Sequence, residues 1–292
     1  MGRPDDARPD PRIIDFGTGP IRVLERFARI DEWRRLAKAN PSLFDGAVKR
    51  EIIARMQRNG IIDPLSGQRI RGAEIIVVGE AYHNTITAGD LIARNRATLL
   101  LLDRLCPGSK ARGNFRLYAA EGITGFARRL RESFPLFIGS EYASTEEKRK
   151  AIYPVPHQDL CALTFGDAVF DAVVTQDVLE HVPTIETALR EIARVLVPGG
   201  WSINAHPFLC MNETSLRQAK LVEGEIVHLS EPVYHGDPMS PDGVLVFELP
   251  AWDILERARS AGFSRAEMWF ILDERRGVLA DTGGLFLSAL HR

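Results

Sequence analysis

Cysteine is scarce in this chain: Cys106, Cys161 and Cys210 are the only three, odd in number and far apart. That argues against a disulfide framework and a paired-cysteine zinc site, and leaves them as small apolar core residues. Charge of one sign is also lacking. The 37 Lys and Arg against 39 Asp and Glu give a formal net charge of -2, no electrostatic footprint for nucleic acid. No apolar run spans a membrane and no charged-then-apolar leader is present, so a cytoplasmic, reducing setting and no membrane span are expected. Spacing of the HExxH or paired CxxC kind is missing, so no metal is expected. The GxSxG elbow of a Ser-His-Asp hydrolase is missing too. With 292 residues and 45% hydrophobic content, what remains is ordinary globular material with one substantial core plus an appendage.

The richest stretch is 168–208. Phe170, Ala172, Val173 and Val174 make an apolar run followed by Thr175, Gln176 and Asp177, as in a strand buried on both faces that ends at a ligand-facing edge. Pro183 and Thr184 open a helix, with Glu186 in its first turn. Its buried face is Ile185, Ala188, Leu189, Ile192, Ala193 and Leu196. Pro198, Gly199 and Gly200 stop it and lead into a second strand over 201–205, completing a βαβ unit. FDAVVTQDVLEHVPTIETALREIARVLVPGGWSI resembles the fourth strand, following helix and fifth strand of class I S-adenosylmethionine-dependent methyltransferases, in which a DxLEHV hinge and an LxPGG turn recur. The resemblance implies a doubly wound, seven-stranded Rossmann-like α/β sheet of order 3-2-1-4-5-7-6.

In chain order, residues 1–20 read as a flexible arm; IIDFGTGP at 13–20 imitates a nucleotide loop but lacks a proper strand before it, and a turn before a helix is expected there. Residues 21–79 read as a helical appendage with a short hairpin: two amphipathic helices at 21–38 and 43–56, then a hairpin within 61–79. This appendage covers the main sheet or forms a lid or homodimer contact. Residues 80–292 are the methyltransferase-like domain. It contains a helix to residue 105, a first strand at 115–120, a second at 136–139, a third at 152–156, a final helix at 252–262 and a closing antiparallel pair. Residues 208–250 form an insertion on the substrate side.

The resemblance also implies the cofactor, S-adenosylmethionine, and its residues. Glu121, Gly122 and Thr124 occupy the place of the glycine-rich loop, of whose glycines only Gly122 remains. AEGIT with FPLFIGSEY resembles a subgroup in which an ExxT form replaces that loop. Glu141, 20 residues after Glu121, takes the ribose hydroxyls, with Tyr142 beside it. Asp159 and Leu160 take the adenine, as in the arrangement DLCALTFGDAVFD. Thr175, Gln176 and Asp177 line the end of the fourth strand, and Arg94 or, by preference, Arg96 pairs with the methionyl carboxylate. Methyl transfer to oxygen needs a base, for which His206, His235 and His181 are placed. A small or saccharide-like hydroxylated substrate fits the polar insertion, and neither nucleic acid nor membrane is expected as partner. Two alternatives stay open: a non-catalytic methyltransferase-like module in an assembly, and a dinucleotide-dependent oxidoreductase or epimerase, whose GxGxxG loop AEGITG does not supply.

Overall fold

The computed structural model describes residues 12–17, 19–79, 81–237 and 240–292; the first eleven residues of the expected arm lie outside them. Long apolar runs set the framework. The sheet strands are β1 (Arg22–Phe27), β2 (Arg116–Ala119), β3 (Leu136–Gly139), β4 (Phe170–Gln176), β5 (Leu196–Ala205), then, after the insertion, β8 (Arg265–Asp273) and β9 (Leu285–His291). They lie in the order β1-β8-β9-β5-β4-β2-β3. The four strands from β5 to β3 are parallel, and β9, β8 and β1 add antiparallel. This is a Rossmann-like α/β sheet. Between β4 and β5 runs α5 (Ile185–Val195), which buries Ile185, Ala188, Leu189, Ile192 and Ala193 as its periodicity gives, with Val195; Leu196, expected on that helical face, already opens β5.

Two edges depart from the expected order. At one, residues 152–156 form no strand. A single parallel bridge, Glu141 to His157, stands where a third strand would pair beyond β3. Pro154 and Pro156 lack the N–H donors a ladder needs, so pairing reduces to Glu141 N–H on Pro156 O (3.0 Å) and Gln158 N–H on Glu141 O (3.0 Å). At the other edge the seventh strand is β1, where a helix from residue 21 is expected; it pairs along its whole length with β8. The turn at 13–20 therefore leads into a strand.

Two helices follow β1. They are α1 (Ile30–Ala39) and α2 (Gly46–Asn59), the latter capped by the Asp45 carboxylate on Ala47 N–H. Trp33 of α1 is fully buried, its ring 4.8 Å from Phe286 and 5.0 Å from Phe270 on the sheet. The apolar face that suggests a dimer contact is thus buried in this chain's own core. The hairpin is Ile61–Ile62 with Arg69–Ile70, whereas Ile76–Val77 joins Ile86–Ala88 and Leu91–Ile92. Next come α3 (Ala93–Leu105) and, after β2, α4 (Gly125–Ser133). The insertion consists of antiparallel pairs, of which β6 (Tyr234–Asp237) with β7 (Ser240–Leu245) bears on the site. Last is α6 (Ile254–Ser260), before β8. No helix among the described residues is long and apolar enough to cross a membrane.

Candidate active site

In an open parallel sheet, ligands bind beyond the carboxyl ends of the strands where the strand order reverses, here between β2 and β4. After β2 the chain turns through Glu121 to Thr124 into α4. Thr124 caps that helix by accepting from Ala127 N–H (3.0 Å) and donates its hydroxyl to Glu121 Oε2 (2.5 Å). Burial pushes the Glu121 carboxyl up to about 7, against the Thr124 hydrogen bond and the Arg94 charge, and its Oε1 is buried with no hydrogen-bond partner. Gly122 is glycine for lack of room: a Cβ there would lie 2.4 Å from Val155 Cγ1 and 3.2 Å from the Gly139 backbone. Its N–H and that of Ile123 donate to Glu141 Oε1, at 2.8 and 3.1 Å. The loop is therefore tied to the end of β3 through one oxygen of the carboxylate expected on a ribose.

Beside Glu141, Tyr142 is 63% exposed, with its ring 5.6 Å from that of His157. Asp159 folds its carboxylate back onto Cys161 N–H (2.8 Å), and Leu160 is buried. At the end of β4, Thr175 and Gln176 are internal. The Thr175 hydroxyl donates to Asn204 Oδ1 on β5 (2.9 Å); Gln176 accepts from Asn95 (2.6 Å) and donates to Thr98 (3.0 Å), both on α3. These two residues clamp strand to strand and strand to helix. Asp177 turns out of the sheet at φ 50° and pairs with Arg94.

The two arginines of α3 divide the roles the sequence leaves open. Arg96, expected at the cofactor, is fully buried on the other side of the helix, where Nη1 donates to Leu91 O (2.6 Å) and Nη2 to Ile86 O (2.8 Å) and Gly277 O (2.7 Å). Burial lowers its pKa to about 9. Gly277, at φ 66°, leaves the space: a Cβ would sit 3.0 Å from Arg96 Nε. Arg94 faces the edge instead. Burial lowers its pKa, while the charges of Glu121 and Glu180 oppose that, and its Nε is buried without a hydrogen-bond partner.

The histidines gather around a residue that spacing did not single out as their centre. Glu180, in the short turn Leu179–His181 after β4, is fully buried, and neither carboxylate oxygen has a hydrogen-bond partner. His181 Nε2 and His235 Nδ1 each stand 3.6 Å from its Oε1, with the two rings perpendicular at 5.3 Å. His235 comes 55 residues later on β6 and arrives because the insertion folds back: Phe247 N–H donates to Glu180 O (2.8 Å) and His181 Nδ1 meets Leu245 O (2.9 Å). His206, after β5, is buried; its Nδ1 meets Pro207 O (3.1 Å) and its Nε2 has no partner. Burial lowers its pKa although Pro207 O and Glu180 pull the other way. The adjacent Glu-His pair at 180–181 and His235 as a candidate base were the available sequence signals; nothing in the sequence joined the two across 55 residues.

The mixed sheet with its switch-point edge is a Rossmann-like fold, and within it lies a match to a methyltransferase domain, a class whose cofactor is S-adenosylmethionine. Residues 138–204, which hold the end of β3, β4, α5 and nearly all of β5, match the methyltransferase domain family. No curated protein matches the chain. Among solved structures it is similar to a candidate sarcosine dimethylglycine methyltransferase from Galdieria sulphuraria, 18% identical over 39% of this chain and 46% of that one, with a TM-score of 0.32. It is also similar to an S-adenosylmethionine dependent methyltransferase from Mesorhizobium loti, 15% identical over 67% and 98%, TM-score 0.43. A third is a Haemonchus contortus phosphoethanolamine N-methyltransferase in complex with phosphomonomethylethanolamine and S-adenosylhomocysteine, 20% identical over 63% and 41%, TM-score 0.39. The chain spans less than half the length of the first and third.

Proposed function

We propose that the chain transfers the methyl group of S-adenosylmethionine to an oxygen of a small or saccharide-like hydroxylated substrate. Two orphaned groups at the switch point fit the cofactor's methionyl end: Glu121 Oε1 for its ammonium and Arg94 Nε–H for its carboxylate. Glu141, Tyr142, Asp159 and Leu160 are assigned to the nucleoside, with the exposed Tyr142 ring offering a stacking face. The two loop N–H groups a pyrophosphate would need are held by Glu141, which disfavours a dinucleotide. The cofactor supplies a methyl on a sulfonium: the O–CH3 bond forms as the S–CH3 bond breaks, and sulfur keeps the bonding pair.

The acceptor hydroxyl must also lose its proton, and His206 is assigned to take it. This is the observation that carries the reading. Pro207 O can only accept, so the proton sits on Nδ1 and leaves a lone pair on the unpartnered Nε2. Because burial holds the ring's pKa below 6.5, it is neutral at pH 7 and ready to accept a proton. The test is release of S-adenosylhomocysteine across a panel of sugars, phenols and hydroxy acids, set against a panel of amines. Turnover with a hydroxylated acceptor is expected, falling in acid only beneath the ordinary histidine range, with His206→Ala lowering kcat by about a hundredfold or more. Turnover with amines alone would contradict the oxygen assignment.

One observation favours a second reading, a module serving in an assembly. The hairpin Ala219–Val222 with Glu225–His228 exposes Leu221, Val222, Ile226 and Val227. Monomeric behaviour in light scattering, together with turnover, would set that reading aside.

A further inference from the structure

The geometry points to a divalent transition-metal site formed by Glu180, His181 and His235. One ligand atom from each lies within 4.8 Å of the others. Metal–ligand bonds of about 2.0–2.2 Å place neighbouring ligand atoms roughly 3 Å apart, so side-chain rotations of about an ångström close the three onto an ion. Two imidazoles and one carboxylate are the donor set of zinc and other late divalent ions, and three protein ligands leave a position open for a water or a substrate oxygen.

Two observations besides proximity call for a cation there. Glu180 is fully buried with no hydrogen bond to either carboxylate oxygen, and an uncompensated buried anion is strongly unfavourable. Arg94 feels that charge but is paired with Asp177. Moreover, His181 Nδ1 must carry a proton to bond Leu245 O, so in the neutral ring it is the Nε2 lone pair that stands 3.6 Å from Glu180 Oε1. Two acceptors then face each other across a gap too long for a hydrogen bond. A backbone carbonyl that fixes the tautomer of one imidazole nitrogen and frees the other is the usual support of a metal-bound histidine.

The site joins two parts of the chain that are distant in sequence. Glu180 and His181 come from the hinge after β4, whereas His235 comes from β6 of the insertion, and Leu245 O from β7. An ion there would fasten the insertion over the carboxyl edge and polarise an acceptor hydroxyl, lowering its pKa. The site itself rests on geometry alone and stands whether or not the oxygen-methylation reading holds.

The rival occupant is a second proton, which would make His181 or His235 an imidazolium paired with Glu180. Zinc titration of tag-free, chelator-treated full-length protein followed by calorimetry separates the two, with cobalt(II) absorption reporting the ligand set. Expected is one zinc per chain, and a tetrahedral or five-coordinate cobalt spectrum. Glu180→Gln and His235→Ala should each weaken binding at least tenfold, while His291→Gln leaves it unchanged. His235 lies on the insertion hairpin rather than in the core, so its variant remains informative if Glu180→Gln fails to fold. No stoichiometric zinc binding by the folded wild type, or binding that survives His235→Ala at full affinity, would overturn the site and leave the proton as occupant.

Discussion

The two halves of the sheet's carboxyl edge are held together in different ways. Around β4, α5 and β5 the chain follows a regular pattern: apolar strand, amphipathic helix, apolar strand, with Thr175 clamped to Asn204 across neighbouring strands. Around β2 and β3 the glycine-rich turn is replaced by a side-chain tie, Glu141 reaching back 19 and 18 residues to the N–H groups of Gly122 and Ile123. The third strand beyond it has shrunk to one bridge. A loop that lacks small residues can still be fixed in place if a neighbouring carboxylate supplies the acceptor its N–H groups need. Such a loop then depends on one charge rather than on backbone freedom.

Three substitutions sharpen this contrast. The largest effect is expected at the buried arginine of α3. Arg96→Ala orphans the carbonyls of Ile86, Leu91 and Gly277 in a buried site and should lower stability by about 3 kcal/mol or more in urea unfolding. Arg94→Ala, two residues away, should leave stability nearly unchanged while weakening cofactor binding; equal effects from both would erase the division of roles. Next, Glu141→Ala should cost the cofactor-free protein about 2 kcal/mol by releasing the loop. A carboxylate whose only role lay with a ribose would leave the free protein's stability untouched.

The smallest effect concerns pH. Glu121 has its carboxyl raised to about 7 from an ordinary 4.5, chiefly by burial, so the folded protein holds that proton where the unfolded chain has lost it. Stability from this group is therefore complete below 4.5 and declines as the pH rises towards 7. Glu121→Gln should flatten that stretch of the stability profile; an unchanged slope would place the buried proton elsewhere.

Much of the sheet was legible in the sequence because buried parallel strands are continuous apolar runs and α5 keeps a strict helical period, as 170–174 and Ile185 to Ala193 show. β1 was not: Val23, Leu24 and Phe27 fit a helical stripe as well as they fit an edge strand, and only pairing with β8 decides. The third strand misled in the opposite direction, its apolar residues outweighing two prolines. At the site, Glu121 and the three histidines were singled out from the sequence. Arg94 against Arg96 could not be resolved, since residues two apart on a helix lie on different faces and both are basic. The meeting of Glu180 with His235 was hidden as well, because it depends on how a 43-residue insertion, 208–250, folds back rather than on any local pattern.

The central claim, that this edge holds S-adenosylmethionine through Arg94 and Glu121, is tested most directly by calorimetry of the wild type and Arg94→Ala with S-adenosylmethionine and S-adenosylhomocysteine. The structure predicts a one-to-one complex with each for the wild type and at least tenfold weaker binding for the variant. A well-folded wild type that binds neither would contradict it.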